Sequence, residues 1–148
     1  NCIFCKFLQE NNDVKNLIVT RFKHASVWLN LYPYNKGHIL IIPNSHVKSL
    51  NDLSDEEKLE LMEIICEIPN IFKEALGADG TNIGINIGKV GGASKPDHIH
   101  IHALPRYAKG EVEFLETVCE KSIVTIDLNQ LYSVLKEKFD QLFEQLYH

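Results

Sequence analysis

The sequence lacks the features that mark membrane-spanning, disulfide-rich and nucleic-acid-binding proteins. Its densest apolar run, Ile39-Leu40-Ile41-Ile42, is far shorter than the ~20 residues that cross a bilayer, so we expect no membrane contact. Its four cysteines are too few and too unevenly spaced for a disulfide scaffold. Its net charge of −5 argues against binding along a nucleic-acid backbone.

No repeat or low-complexity linker divides the 148 residues, so we expect one domain over residues 1–148. The hydrophobic fraction of 45% and the charged fraction of 24% are those of an ordinary globular protein, and we expect a cytoplasmic one. The sequence begins at Asn1 rather than at methionine, which leaves open what precedes it. Four basic residues lie close in sequence to a histidine-rich stretch or its partner segments: Lys36, Lys89, Lys95 and Arg106. They could bind a small anion, although each also fits a solvated surface charge.

Three of the seven histidines alternate with apolar residues between Asp97 and Arg106. Side chains of an extended strand repeat every two residues, so His98, His100 and His102 are expected to share one face. Imidazole titrates near pH 6.5 and serves near neutrality as a nucleophile, a hydrogen-bond donor, an acid or a zinc ligand. A solvated, tag-like histidine cluster is the alternative, but such clusters do not alternate with isoleucine inside an apolar strand.

Hydrophobic periodicity predicts an α+β fold, with an antiparallel meander sheet, one long central helix and a C-terminal helix. Residues 17–43 have the composition of antiparallel strands, and residues 81–88 alternate between apolar and small polar types. The terminal helix is expected over about residues 127–147.

The long helix is expected to begin with a capping box at Ser54 and Glu57 and to end near Gly77. Its apolar residues recur at spacings of three and four, so one stripe should face the core. Pro69 should kink or divide this helix because proline removes a backbone donor.

The loop before the histidines, Gly91-Gly92-Ala93-Ser94, offers consecutive backbone N–H groups with little side-chain obstruction, plus one hydroxyl. Such nests suit anions, although an ordinary surface turn has the same composition. In the preceding strand, Gly84 and Gly88 are costly unless backbone or ligand must approach closely.

Cys2 and Cys5 form a Cys-x-x-Cys pair, which in a reducing compartment indicates metal binding or redox chemistry rather than a structural bridge. Two cysteines at this spacing can hold one zinc ion, but a tetrahedral site needs two further ligands. A thioredoxin-like role would need a βαβ setting, and none follows the pair.

The pattern from His98 to Leu104 resembles the signature of the histidine-triad (HIT) family of nucleotide hydrolases and transferases, and the resemblance extends from Cys2 to about Phe114. It implies that His100 is the nucleophile that attacks an α-phosphate to give a nucleotidyl-histidine intermediate. It also implies that Asn86, Ser94 and His102 hold the phosphate oxygens. The backbone N–H groups of Gly92 and Ala93, in the same loop, are expected to bind them too.

The resemblance further implies a supporting position behind the triad and a nucleoside site. His38 matches a family histidine that supports the triad, although a satisfied histidine on a strand is equally consistent with the sequence. Asn30 falls where the family grips the ribose hydroxyls. The base would lie in an apolar slot formed by Ile3, Phe4, Trp28 and Leu31, while plain core packing is the alternative for Trp28.

A subset of the family binds zinc through an N-terminal Cys-x-x-Cys, a histidine after an Ile-Pro strand and the first triad histidine. The matching residues here are Cys2, Cys5, His46 and His98. Four protein ligands with no open position describe a structural site, and no cofactor is implied for the chemistry itself. The alternative is a reduced, empty cysteine pair with an exposed His46.

Within the family, residues 84–88, the Gly-Gly-Ala-Ser loop and residues 97–106 look most like bacterial diadenosine polyphosphate hydrolases and phosphorylases. This implies a small-molecule nucleotide substrate, diadenosine tetraphosphate above all. The family resemblance also implies a homodimer formed through the long helix and the adjoining strand. Ile64, Ile68 and Phe72 could supply that contact, yet a monomer's core would show the same stripe. The alternatives are a nucleoside phosphoramidase or AMP-lysine-type hydrolase, a zinc-containing nucleotide-binding module without turnover, and a zinc-held interaction protein.

Overall fold

A computed structural model describes residues 1–30, 37–108 and 128–148 of the chain. Leu31 and residue 127, at the predicted start of the last helix, lie outside the described residues. The helices are α1 (Ile3–Gln9), α2 (Asp13–Asn16), α3 (Asp55–Leu76) and α4 (Leu128–Tyr147), with a short 3-10 helix at Leu50–Asp52. The strands are β1 (Ile18–Arg21), β2 (Ala25–Leu29), β3 (Ile39–Pro43), β4 (Gly80–Ile85) and β5 (Ile101–Arg106).

These strands form one antiparallel sheet in the order β1-β2-β3-β5-β4. The predicted α+β architecture is therefore confirmed. Two boundaries differ from the prediction. Of the three alternating histidines only His102 lies within a strand, because β5 begins at Ile101. β4 ends at Ile85 rather than near residue 88, where Gly88 adopts a left-handed φ of 71° at the start of a turn.

The long helix α3 begins and ends where the sequence indicates. Ser54 accepts a hydrogen bond from the Glu57 amide while the Glu57 side chain accepts one from the Ser54 amide, which completes the capping box. Gly77 ends the helix in a left-handed conformation. Pro69 does not divide the helix and lies on its exposed side.

The main core lies between one face of the sheet and the two long helices. Ile64, Ile68 and Phe72 of α3 are fully buried in it, against strand residues such as Ile101 and Ala103. The suggestion that these three residues supply a dimer contact is therefore wrong, because they already pack within their own chain. Their stripe is the core of the monomer.

The terminal helix α4 is tied to the first strand of the sheet. The Tyr132 hydroxyl donates to the Ile18 carbonyl at 2.7 Å, and Thr20 donates to the Asp140 carboxylate at 2.7 Å. No helix in the described residues has both the length and the apolar character needed to cross a membrane.

A buried carboxylate, that of Glu60 in α3, joins three elements. It accepts the backbone N–H groups of Lys23 and His24, at 3.0 and 2.7 Å, in the turn between β1 and β2. It also accepts a hydrogen bond from the Tyr147 hydroxyl at the end of α4. A buried charge of this kind is stable only with such partners.

The opposite face of the sheet carries a smaller apolar cluster, formed by Phe4 of α1 with Ile18, Trp28 and Ile42. Side chains alternate across a sheet, so the residues on this second face are those that can meet a ligand above it. His102 pairs with Leu40, which packs against the small cluster, and therefore belongs to this face.

Candidate functional site

The three alternating histidines lie together on the second face of the sheet. The rings of His98 and His100 both meet Phe4, with centroids 5.4 and 5.1 Å away, and the rings of His100 and His102 lie 5.0 Å apart. Ile101, between the last two, points into the main core. The alternation therefore places the rings as expected, although the regular strand begins only at Ile101.

His100 is held in one tautomer by its own chain. Its Nδ1 lies 3.0 Å from the carbonyl oxygen of His98, and since a carbonyl only accepts, Nδ1 carries the proton. Nε2 of the neutral ring then keeps its lone pair. The ring is 5% exposed, so its orientation is fixed by packing as well as by this hydrogen bond. Such a nitrogen is suited to nucleophilic attack.

A hydrogen-bond chain sets the tautomer of His102. The Asn30 Nδ2, which can only donate, lies 3.2 Å from Nδ1 of His38, and Nε2 of His38 lies 3.0 Å from Nδ1 of His102. The proton of His38 therefore sits on Nε2 and that of His102 on its own Nε2. His102 consequently presents an N–H donor beside the lone pair of His100.

The surroundings of His38 and His102 keep both of these rings neutral. Burial, reinforced by the neighbouring His102, lowers the pKa of His38 to about 4. Burial and the neighbouring His100 also lower the pKa of His102 below its ordinary value. Both rings are therefore uncharged near pH 7, as the hydrogen-bond chain requires. The contacts of His38 fit the role expected for it, which is to support the triad by orienting His102, and that role stays a prediction.

The described residues of the predicted base slot pack against one another, and their role in binding a base stays a prediction. Phe4 meets Trp28 edge-on with ring centroids 5.5 Å apart, and both side chains are buried. The Trp28 indole donates to the Ser26 hydroxyl at 2.7 Å. Phe7, which sequence reasoning missed, stacks on Trp28 at 6.0 Å, and only the regular spacing of α1 could have indicated it. Ile3 is partly buried against the same cluster.

The glycine-rich loop differs from its predicted form. The amides of Gly91 and Ala93 donate to the Gly88 carbonyl, and that of Gly92 donates to the Lys89 carbonyl, at 3.0–3.1 Å. These N–H groups close the turn and so do not form the open nest that the sequence suggested. A Cβ at residue 91 would lie 2.2 Å from the Ile87 carbonyl oxygen, so the turn requires glycine there.

The loop nevertheless brings predicted residues together. The Cα of Gly92 faces the Asn86 side chain, which a Cβ there would approach to 3.7 Å. Ser94 is exposed and lines a cavity of about 300 Å³ together with Cys2, His46 and His98. Binding roles for Asn86, Gly92, Ala93 and Ser94 stay predictions, although the amides of Gly92 and Ala93 already donate within the turn.

The four residues expected to hold a metal converge at one point. The ligand atoms of Cys2, Cys5, His46 and His98 all lie within 4.8 Å of one another. Nδ1 of His98 lies 3.2 Å from Nδ1 of His46 and 3.3 Å from Sγ of Cys2, and Sγ of Cys5 lies 3.4 Å from Nδ1 of His46. A tetrahedral zinc site has edges of about 3.3 Å between two nitrogens and about 3.6 Å between nitrogen and sulfur. The measured distances match these edges.

The tautomer of His98 also fits a metal ligand. Its Nε2 lies 2.8 Å from the Pro43 carbonyl oxygen, so Nε2 carries the proton and Nδ1 directs its lone pair toward the cluster. Burial, followed by the neighbouring Cys2, raises the pKa of the Cys5 thiol, and a bound cation would oppose that effect. The carbonyl of Pro43, at the end of the Ile-Pro strand, is a contact that the sequence did not indicate.

The N-terminal helix α1 is held at its other end by Arg21. The guanidinium donates to the carbonyls of Leu8 and Glu10 at 2.8 and 3.0 Å and pairs with the Asp13 carboxylate at 2.8 Å. The helix that carries Cys5 and Phe4 is thus fixed between the cluster and the first strand.

Comparison with known proteins agrees with this geometry. A model of the HIT domain matches residues 11–109. The chain is 34% identical to the AP-4-A phosphorylase of Mycobacterium tuberculosis over 76% of its own length and 57% of that protein, so it spans little more than half of this relative. It is 30% identical to a HIT-like protein of Methanocaldococcus jannaschii, over 91% of this chain and 98% of the other. A crystal structure of a Zn-bound histidine triad family protein from Mycobacterium smegmatis superposes with a TM-score of 0.69 at 26% identity, covering 99% of this chain and 95% of that one.

Proposed function

Because the chain belongs to the HIT family, we propose that it is an enzyme that cleaves a dinucleoside polyphosphate at an α-phosphate, with diadenosine tetraphosphate as the substrate we favour. The observation that carries this proposal is the hydrogen bond of 3.0 Å between Nδ1 of His100 and the His98 carbonyl. It leaves Nε2 of His100 as a neutral nucleophile beside the N–H of His102. The name of the mycobacterial relative, AP-4-A phosphorylase, supports the choice of substrate.

The first step forms a bond between Nε2 of His100 and the α-phosphorus and breaks the bond from that phosphorus to the bridging oxygen. The electron pair of the broken bond stays on the leaving polyphosphate. The N–H of His102 donates to an α-phosphate oxygen as its charge grows, and Asn30 and His38 hold that N–H in place.

The second step returns His100 to its starting state. If water attacks the nucleotidyl-histidine, AMP is released, and if inorganic phosphate attacks, ADP is released. In either case the phosphorus–nitrogen bond breaks and His100 regains a neutral ring. The described residues do not favour water or phosphate as the acceptor, so the identity of the released nucleotide distinguishes hydrolysis from phosphorolysis.

The metal-binding cluster is proposed to hold zinc in a structural role. Cys2, Cys5, His46 and His98 would supply four ligands and leave no open position, so the ion would stabilise the fold rather than enter the reaction. It would link α1 to the segment that carries His100, and the measured edges of the cluster support this assignment.

We also propose that the protein is a homodimer. With Ile64, Ile68 and Phe72 buried, the contact would use the edge of β4 that pairs with no other described strand, and the exposed apolar side chains of α3, Leu59 and Met62. An unpaired strand edge readily accepts a partner strand. Sedimentation equilibrium tests this directly, since a monomeric mass at all concentrations would overturn it.

The central experiment is incubation with diadenosine tetraphosphate, with and without inorganic phosphate, and identification of the nucleotides by mass spectrometry. We expect AMP plus ATP without phosphate, or ADP plus ATP with it. His100→Ala should abolish turnover while nucleotide binding persists, since the base and ribose contacts remain. Binding without any turnover by the wild-type protein would overturn the enzymatic proposal and favour a non-catalytic nucleotide-binding module.

A further inference from the structure

The strand β4 carries a glycine that no contact in the described part of the chain requires. Gly84 pairs with His102 in the sheet and so shares its face. A Cβ at this position would meet no atom of the described residues within 4 Å, and the backbone is not left-handed there. Glycine in a strand interior lowers stability, so neither turn geometry nor packing explains its presence. Among the described residues, the missing side chain leaves the surface directly beside His102 uncovered.

The same face continues to a cation. Asn82 lies two residues before Gly84 and is exposed, and the Arg106 Nη1 donates to its Oδ1 at 2.8 Å. Arg106 follows His102 by four positions on β5 and therefore lies on the same face, about 13 Å along the strand. The guanidinium is thus held at the far end of the open surface that begins at Gly84.

The order of the strands fixes which part of a substrate meets this surface. The predicted nucleoside slot, with Trp28, lies over β2, on one side of the histidines. β4 lies on the other side, beyond β5. In-line attack places the leaving oxygen opposite Nε2 of His100, with the nucleoside to one side of that line. With the nucleoside over β2, the surface over β4 is the described part of this face that a leaving polyphosphate can follow without crossing the nucleoside.

We propose that Gly84, Asn82 and Arg106 form a binding site for an anionic leaving group, the polyphosphate chain released when His100 attacks. This rests on the proposed function and specifies its substrate class. Gly84 allows the chain to lie close to the strand, Asn82 positions the guanidinium, and Arg106 stabilises the negative charge that the breaking bond leaves on the polyphosphate. The site therefore favours dinucleoside polyphosphates over adenosine phosphoramidates, whose leaving amine carries no phosphate.

Calorimetric binding of adenosine 5′-tetraphosphate and of AMP tests the site without relying on turnover. Arg106→Gln should weaken the tetraphosphate about tenfold and leave AMP within twofold, because only the former reaches β4. Lys58→Gln is the matched control, since it removes an equal charge from an exposed position on α3, which packs on the other face of the sheet. Equal loss for both ligands, or no loss for either, would overturn the proposal.

A second variant separates a local effect from misfolding. Gly84→Val places a strand-compatible side chain where no described residue has an atom within 4 Å of the added Cβ. The melting temperature should therefore not fall, while affinity for the tetraphosphate should drop. An unchanged affinity would contradict the site. Failure of the wild-type protein to turn over diadenosine tetraphosphate would instead overturn the enzymatic proposal. The two binding measurements would still test whether this site binds the polyphosphate.

Discussion

The carbonyl oxygen of His98 lies 3.0 Å from Nδ1 of His100, while the imidazole of His98 points into the cysteine cluster. One residue therefore contributes its backbone to the proposed nucleophile and its side chain to the proposed zinc site. Any disturbance of the cluster that moves the His98 backbone will also change the orientation of His100.

His38 should act as a positioning residue that orients His102. In His38→Ala the hydrogen bond to Nδ1 of His102 is lost, so kcat with diadenosine tetraphosphate should fall about tenfold while KM changes little. His38→Gln retains an amide donor and should recover most of this loss. Steady-state kinetics of the two variants decide the matter, since equal activity in both would exclude a role for the hydrogen bond.

The stability of the protein should decrease at acidic pH partly because of His38. Its pKa is about 4 in the folded protein and near 6.5 when unfolded, so between these values only the unfolded chain binds the proton. The stabilisation is complete above pH 6.5 and is lost as the pH falls toward 4. By pH 5 the loss from this residue should be about 2 kcal/mol.

Urea unfolding at pH 7.5 and pH 5 measures that contribution. The decrease in unfolding free energy should be about 2 kcal/mol smaller in His38→Gln than in the wild-type protein, because glutamine does not titrate. The other histidines are common to both proteins and cancel in the comparison. Identical decreases would mean that His38 titrates normally in the fold.

Loss of the cluster should destabilise the N-terminal region. Cys5→Ser should contain less than one zinc ion per chain by atomic emission and should melt about 5 °C lower or more, because the ligand set is incomplete. Cys66→Ser is the matched control, since Cys66 is exposed on α3 and outside the cluster. Full zinc content in Cys5→Ser would contradict the assigned ligands.

Glu60 should contribute to stability but not to the reaction. Glu60→Ala leaves the amides of Lys23 and His24 without their acceptor, so the free energy of unfolding should fall by about 3 kcal/mol. Glu74→Ala removes an exposed ion pair with Lys138 and should cost less than ~1 kcal/mol. Urea titrations of the two variants provide the comparison, and similar losses would argue against a structural role for the buried carboxylate.

The sequence predicts best those features that depend on local spacing. Alternation places His98, His100 and His102 on one face, and the capping box at Ser54 locates the start of α3, because both follow from backbone geometry a few residues long. The convergence of Cys2 and Cys5 with two distant histidines followed from family resemblance, since spacing alone supplied only two ligands.

Other features depend on contacts that spacing does not encode. An apolar stripe such as Ile64 and Ile68 looks the same in a core and in an interface, and only the packed structure shows that it is the core. Similarly, Gly91 and Gly92 have the composition of an anion-binding loop, but their amides are already used to close the turn. The link from Glu60 to Lys23 joins residues far apart in sequence and could not be predicted from either one.

The two attachments of α1 differ in kind, and this determines how the helix will open. A helix of seven residues is too short to persist in isolation, so α1 depends on its ends. Arg21 holds the last turn through the Leu8 and Glu10 carbonyls whether or not a metal is bound. Amide hydrogen exchange in metal-free protein should therefore accelerate first in the turn around Cys5 and last near Leu8, with local unfolding spreading from the N-terminal end of the helix toward the arginine.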